Sequence, residues 1–225
     1  MDNRVPLDHV AISRAKSQLA ESDAALAQPI GELAQTLRAR GRLGRPSDIE
    51  KLIGTAITEA LGDRNIAVDG VMHGVFDENA NFVAGPKTVN DIWNVIPYEN
   101  YVVTAQLSSD ELKAVMEEVY ASHERRNLLG FDVKLEGRGA DCRITSMTME
   151  DGPPLERGRK YVIALNSFDS RSAGHHFMKL RALLESSSAN CVMHPVQTRD
   201  ALIDYFRRHK VVHKIAETGE LAAAA

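Results

Sequence analysis

The sequence predicts an α/β chain (α+β in the wider sense): a mixed-sheet sandwich flanked by helices, preceded by an N-terminal helical connector. Three observations carry this. Residues 101–107 and 160–166 are runs of apolar and β-branched residues, the pattern of buried strands. Ser47 with Glu50, and Ser108 with Glu111, have capping-box spacing, and amphipathic periodicity follows each. Strands and helices then alternate without the even rhythm of a doubly wound parallel sheet, which favours a mixed sheet.

Residues 7–40 read as helical, Ala-rich with Leu or Ile at 12, 19, 26, 30, 33 and 37. Pro29 divides this run because it lacks an amide donor. Residues 7–26 are polar with a thin apolar stripe, as suits a connector, and residues 28–40 read as a second, amphipathic helix. The loop ARGRLGRPSDIE follows, and Arg38, Arg40, Arg42 and Arg45 cluster in and just before it. Such arginines can grip an anion or form a solvated linker. A helix over 48–61 puts Ile49, Leu52, Ile53, Ala56, Ile57 and Ala60 on one face, and Gly62 ends it. Residues 66–68 read as a short buried strand, 69–74 as a loop, and 76–83 as an irregular hairpin around Glu78 and Asn79.

The stretch GPKTVNDIWNVIPYENYVVTAQLSSDEL, residues 85–112, organises the middle of the chain. Gly85-Pro86 signals a turn. Thr88 or Asn90 caps a short helix, and Pro97 stops it. Tyr98, Glu99 and Asn100 form a polar loop before the strand 101–107. A loop held at both ends is a good place for an aromatic and an amide that contact a flat ligand. Tyr98 closing the core is the competing reading.

The helix predicted over 108–126 turns Leu112, Val115, Met116, Val119 and Tyr120 inward, and Gly130 closes it. Residues 131–135 and 142–149 read as paired strands across Gly137 and Gly139. The strand 160–166 is expected to be central in its sheet. The next loop carries Phe168, Asp169 and Arg171 where α/β folds place ligands, although an ordinary capping loop would look the same. A helix over 177–184, a strand over 190–193 and a helix over 199–209 capped by Thr198 complete the domain, and the tail from Thr218 is expected to fray.

Composition narrows the function. Of 225 residues, 44% are hydrophobic but only 5% aromatic, so the core must be aliphatic. The net charge of −4 comes without an evident basic face, which argues against a nucleic-acid polymer as partner. Cys142 and Cys191 make no disulfide framework; two buried thiols are favoured over one bond. No run of about 18 apolar residues is present, so no membrane span is expected, and MDNRVPLDHV is too polar for a signal peptide. The eight histidines are scattered, and the adjacent pair His175-His176 would point apart in extended backbone. There is no Gly-x-Ser-x-Gly elbow and no P-loop. No catalytic engine or metal site is evident.

Several segments together resemble the C-terminal domain of the 5′-nucleotidase family, which includes UDP-sugar hydrolases, ecto-5′-nucleotidases and 2′,3′-cyclic-nucleotide 2′-phosphodiesterases. Residues 85–112 are similar to G-x-I-T…V-x-P-F-x-N…V-x-L-x-G-x-x-L. SDIEKLI resembles T-N-x-G-x-L-I, DGPPLERGRKYVIALNSF resembles G-x-P-x-x-x-x-x-Y-x-V-A-x-N-x-F, and SAGHHF stands in the place of G-G-D-G-F. The resemblance implies a division into a connector (1–27), a 5′-nucleotidase C-terminal-like domain (28–213) and a frayed tail (214–225). It implies that this domain recognises a nucleotide or nucleoside, with Tyr98 and Phe168 as stacking rings, Asn100 as a base-edge partner and Asp169 beside them. Hydrolysis would belong to a separate N-terminal metallophosphatase domain with two divalent metals of the Zn, Mn or Mg type, and no cofactor is expected in this chain. The chain alone would then be inactive, within a metallophosphohydrolase of nucleotide catabolism. Two departures stand out: DGVMHGVF lacks the Arg of G-G-I-R, and His175 replaces the Asp of G-G-D. Arg42, Arg45 or Arg171 are the candidate substitutes. The departures favour the alternative, a degenerate scaffold or dimerisation module, with a second copy of the chain as partner. The resemblance implies a periplasmic or extracellular location, and the polar N-terminus leaves the cytoplasm open.

Overall fold

The computed structural model describes residues 8–137 and 139–215. The tail expected to fray from Thr218 and the first residues of the connector lie outside that range. Helix α1 (His9–Leu26) is capped by Asp8, whose Oδ1 accepts from the Val10 and Ala11 amides at 3.0 Å, and none of its residues is buried. The second helix expected over 28–40 is replaced by strand β1 (Pro29–Leu33) and an extended segment. Ile30, Leu33 and Leu37 match a helical period, but an extended chain buries the same three. Pairing decides the matter: the Glu32 amide donates to Lys210 O at 2.7 Å, and Gly31 has a φ of +155° where a Cβ would lie 2.7 Å from Lys210 O.

Helix α2 (Asp48–Gly62) carries the expected capping box: Glu50 N donates to Ser47 Oγ at 3.1 Å and Ser47 N to Glu50 Oε2 at 2.6 Å. Residues 66–68 are not a strand. The strand is β2 (Gly70–His73), all four residues buried, where a loop was expected. Asp69 steers the chain there, since its Oδ2 accepts from Val162 N at 2.7 Å and its own amide donates to Val162 O at 2.8 Å. Gly70 permits the close approach; a Cβ on it would meet Leu129 O at 2.4 Å.

Residues 76–83 form no hairpin; Phe82 instead exchanges two backbone bonds with Leu37, at 2.8 and 2.9 Å. Gly85-Pro86 opens strand β3 (Gly85–Thr88) rather than a turn, and Pro86 is tolerated because β3 is an edge strand. Helix α3 (Val89–Val95) begins where Asp91 Oδ2 accepts from the Thr88 amide and hydroxyl, at 2.7 and 2.8 Å. Strand β4 (Tyr101–Ser108) leads through the Ser108–Glu111 capping box into α4 (Ser109–Ala121). This helix stops short of 126 because β5 (Asn127–Leu129) pairs with β2, and Gly130, at φ +83°, turns β5 into β6 (Phe131–Glu136). Strand β7 (Arg143–Met149) completes the expected hairpin.

Strand β8 (Lys160–Asn166) is followed by the short helices α5 (Ser167–Ser170) and α6 (Met178–Leu184). Strand β9 (Val192–Gln197) starts two residues later than expected. Helix α7 (Thr198–His209) has Gln197, not Thr198, as its N-cap, and β10 (Val211–Val212) follows.

The main sheet has the order β5-β2-β8-β4-β9, with β2 and β8 parallel and the other pairs antiparallel; β8 is central, as its apolar run requires. Its faces bury separate cores. Val102, Ala164 and Val71 face α2, α7 and the small sheet β10-β1-β3, while Val103, Ala105, Leu107, Ile163 and Met72 face α4, α6 and the β6–β7 hairpin. The result is the mixed-sheet sandwich that the strand and helix patterns predict. Both cysteines are free; Cys142 is buried, but Cys191 is exposed, because the start of β9 lies at the sheet edge. No described helix is long and apolar enough to cross a membrane.

Candidate functional site

Parallel strands β2 and β8 end side by side, β4 begins between β8 and β9, and α7 starts where β9 ends. The segments leaving these strands meet at one end of the sheet, where open α/β sheets bind ligands. They enclose a cleft of about 650 Å³. Phe76, Tyr98 and Phe168 all line it and stay 61%, 58% and 46% exposed, whereas Tyr120, Tyr161, Phe177 and Phe206 are fully buried. Phe76 meets Tyr98 edge to face, with centroids 5.5 Å apart and planes at 77°.

The loop bearing Tyr98 is fixed on both sides. Pro97 stops α3 just before it, and the Thr198 amide donates to Asn100 O at 2.9 Å. The Tyr101 amide donates to Ser167 Oγ at 3.1 Å. Arg199 Nη2 donates to Glu99 Oε1 at 3.1 Å, while its guanidinium stacks 3.5 Å above the ring of Trp93. Phe168 sits in α5, whose N-cap Asn166 accepts from the Asp169 amide at 2.8 Å.

Below the rings lies a buried ion pair. Arg126 Nε and Nη2 donate to Asp169 Oδ2 and Oδ1 at 2.9 and 3.0 Å, and Asn166 Nδ2 donates to Asp169 Oδ2 at 2.8 Å. Arg126 Nη1 is spent on Arg125 O at 2.7 Å. Burial pulls the Arg126 guanidinium down, but the Asp169 carboxylate outweighs it and holds the group above its ordinary range. His73, at the end of β2, also lines the cleft; its Nδ1 lies 2.6 Å from Gly74 O, which requires that nitrogen to carry the proton. Burial lowers the His73 pKa, with Asp169 opposing and Arg126 assisting.

That shift has a sign. The unfolded chain takes up a proton near 6.5, and the folded protein resists it. The stability His73 confers is complete above that pH and is lost as pH falls toward the lower folded value. Urea midpoints should decline as pH falls below about 6.5, and less steeply in His73→Gln.

The structure therefore brings Tyr98, Asn100 and Phe168 into one cleft. Asp169 lies wholly buried beneath it, paired with Arg126. The three candidate arginines are elsewhere. Arg42 and Arg45 exchange backbone bonds across an exposed turn; Arg42 borders a small hollow beside Glu50 and Asn127. Arg45 lines a separate groove of about 830 Å³ beside α2, where the ring of Phe131 is buried. Arg171 is exposed at the end of α5. Sequence reasoning missed Phe76, His73, Arg126 and Thr198 as cleft residues. Nothing local marks them, since His73 and Phe76 lie at and just past the end of β2, Arg126 just before β5 and Thr198 at the start of α7; the lone hint is Asp169, an acidic residue just past a central strand, which needs a cation. Among the described residues, no group of three or more His, Cys, Asp or Glu side chains could hold a metal ion.

The family model described as 5′-nucleotidase, C-terminal domain, matches residues 29–182. No curated protein sequence matches the chain. Among solved structures, a 5′-nucleotidase precursor from Thermus thermophilus superposes with a TM-score of 0.74 at 20% identity, covering 95% of this chain and 43% of that one. The NAD nucleotidase of Haemophilus influenzae gives 0.69 at 14% identity, over 92% of this chain and 40% of its own. The sulfate thiohydrolase SoxB of Thermus thermophilus gives 0.64 at 17%, over 95% and 38%. At these identities the likeness is one of fold, and the chain spans about two fifths of each.

Proposed function

The chain belongs to the 5′-nucleotidase C-terminal domain family, and from that premise we propose that it is a nucleotide-recognition module. The flat ring of a nucleoside or nucleotide lies in the cleft between Tyr98 and Phe168, with Asn100 at its edge. One observation carries the reading: rings that a 5% aromatic chain could have buried are held exposed, Tyr98 on a loop and Phe168 on the short helix α5, around a single cavity. Stacking on such rings is worth about 1–3 kcal/mol per base. The fold by itself does not carry it, since the same fold serves a thiohydrolase as well as nucleotidases.

Hydrolysis is assigned to a separate metallophosphatase domain. The two divalent metals expected there would activate water and neutralise charge at phosphorus. The donor sets in the described part of this chain do not fit such metals. Here the chain's residues bind and orient; they move no proton of the reaction.

A second reading, a scaffold with a degenerate pocket, draws on the engagement of Arg126, whose N–H groups are turned to Asp169, Glu124 and Arg125 rather than to a ligand. Titration of the full chain with adenosine and AMP, followed by calorimetry and by the fluorescence of Trp93, separates the two. Saturable binding at or below about millimolar ligand supports recognition. No heat and no fluorescence change at that concentration supports the scaffold.

A further inference from the structure

The third exposed ring of the cleft, Phe76, does little for the core. It is 61% exposed and lines both the cleft and an adjoining hollow of about 220 Å³. The segment that bears it is nonetheless fixed. Strand β2 ends three residues before it, and Val75 packs against the core. Gly74 runs so near the backbone before β5 that a Cβ on it would lie 2.3 Å from Arg125 O. Past the ring, Asp77 Oδ1 accepts from the Asn79 amide at 2.8 Å, and Glu78 Oε2 accepts from Arg125 Nη1 at 2.9 Å.

A single exposed phenylalanine needs no explanation. Its contact does, because the ring meets Tyr98 edge to face, with centroids 5.5 Å apart and planes at 77°. In such a pair the positive edge of one ring meets the negative face of the other. Whichever ring supplies the edge, Phe76 leaves at least one face of Tyr98 uncovered, and a flat ligand needs that face. Tyr98 is itself 58% exposed on its loop, so core packing restrains its side chain little. A ring that must be ordered when the ligand arrives weakens binding, and a neighbour that holds it beforehand removes that loss.

We infer that Phe76 is a positioning residue: it sets the plane of the Tyr98 ring before a nucleoside arrives, and it acts on the ligand through Tyr98 rather than by touching it. This rests on the cleft being a nucleoside site. The two rings come from different parts of the fold, Phe76 from beyond β2 and Tyr98 from beyond α3, so their pairing also joins two segments of the cleft wall.

The test compares Phe76→Leu, which keeps apolar bulk without a ring, with Phe76→Tyr, which keeps the ring. Adenosine is titrated into the full chain, and affinities are read by calorimetry and by ligand-detected NMR, which reaches weak binding. Phe76→Leu should weaken adenosine binding about three- to tenfold, and Phe76→Tyr should bind like the wild type. In a Tyr98→Ala background Phe76→Leu should cost nothing further, since the ring it holds is gone. With ring-¹³C tyrosine, the Tyr98 signal, identified by its loss in Tyr98→Ala, should shift in ligand-free Phe76→Leu. Unchanged affinity in Phe76→Leu overturns the inference. So does an equal loss with and without Tyr98, which would make Phe76 a ligand contact in its own right, and so does a Tyr98 signal that stays in place. In all three cases the wild type still binds adenosine and the recognition reading stands. If the wild type does not bind adenosine, that reading fails and takes the inference with it.

Discussion

Asp169→Ala is expected to cost about 3–5 kcal/mol of folding stability, a large part of what a domain of this size possesses. Asp169 is 0% exposed and accepts two bonds from Arg126 and one from Asn166. The alanine leaves a guanidinium whose side chain is only 12% exposed without its counter-charge, and the penalty of that stranded cation exceeds any loss of attraction. Equilibrium urea unfolding measures it as a lower midpoint at similar slope. Replacing both partners, Arg126→Met with Asp169→Leu, should recover much of the loss, because an apolar pair strands nothing. A cost below about 1 kcal/mol for Asp169→Ala would mean that Glu124, already 3.4 Å from Arg126, takes over as partner.

Tyr98→Ala should weaken nucleoside binding about 5- to 150-fold, the span of one lost stacking platform. Phe168→Ala should fall in the same range. Neither change should move the unfolding midpoint far, because both rings are about half exposed and little burial is lost. That pairing of a large effect on binding with a small one on stability is the signature of a ligand-facing ring. Calorimetry and denaturation on the same preparations read both quantities. An affinity for AMP that survives the loss of Tyr98 would remove the stacking account.

How much of this was legible beforehand depended on how local each signal is. The capping boxes at Ser47 and Ser108 were readable because a cap is decided within four residues. The central place of β8 was readable from its own composition. The segment around β1 was not, since Ile30, Leu33 and Leu37 satisfy both a helix period and an extended path, and the choice is made by Lys210 and Val212 far along the chain. Strand β2 hid for a similar reason: Gly70 and Gly74 look like loop residues, yet they are glycines because neighbouring backbone passes too close for a Cβ. In the cleft, Tyr98, Asn100 and Phe168 stood out as polar or aromatic residues next to strong strand signals. Phe76, His73, Arg126 and Thr198 join them only through sheet order, which no local pattern encodes.

Helix α1 is 18 residues long and buries none of them. A lone polar helix of that length sits near the margin of persistence in water, since tertiary packing normally supplies most of a helix's stability. Beyond its Asp8 cap, its touch on α3 is what steadies it, so the degree to which this rod keeps its coil gauges that one seam and its own propensity rather than the core behind it.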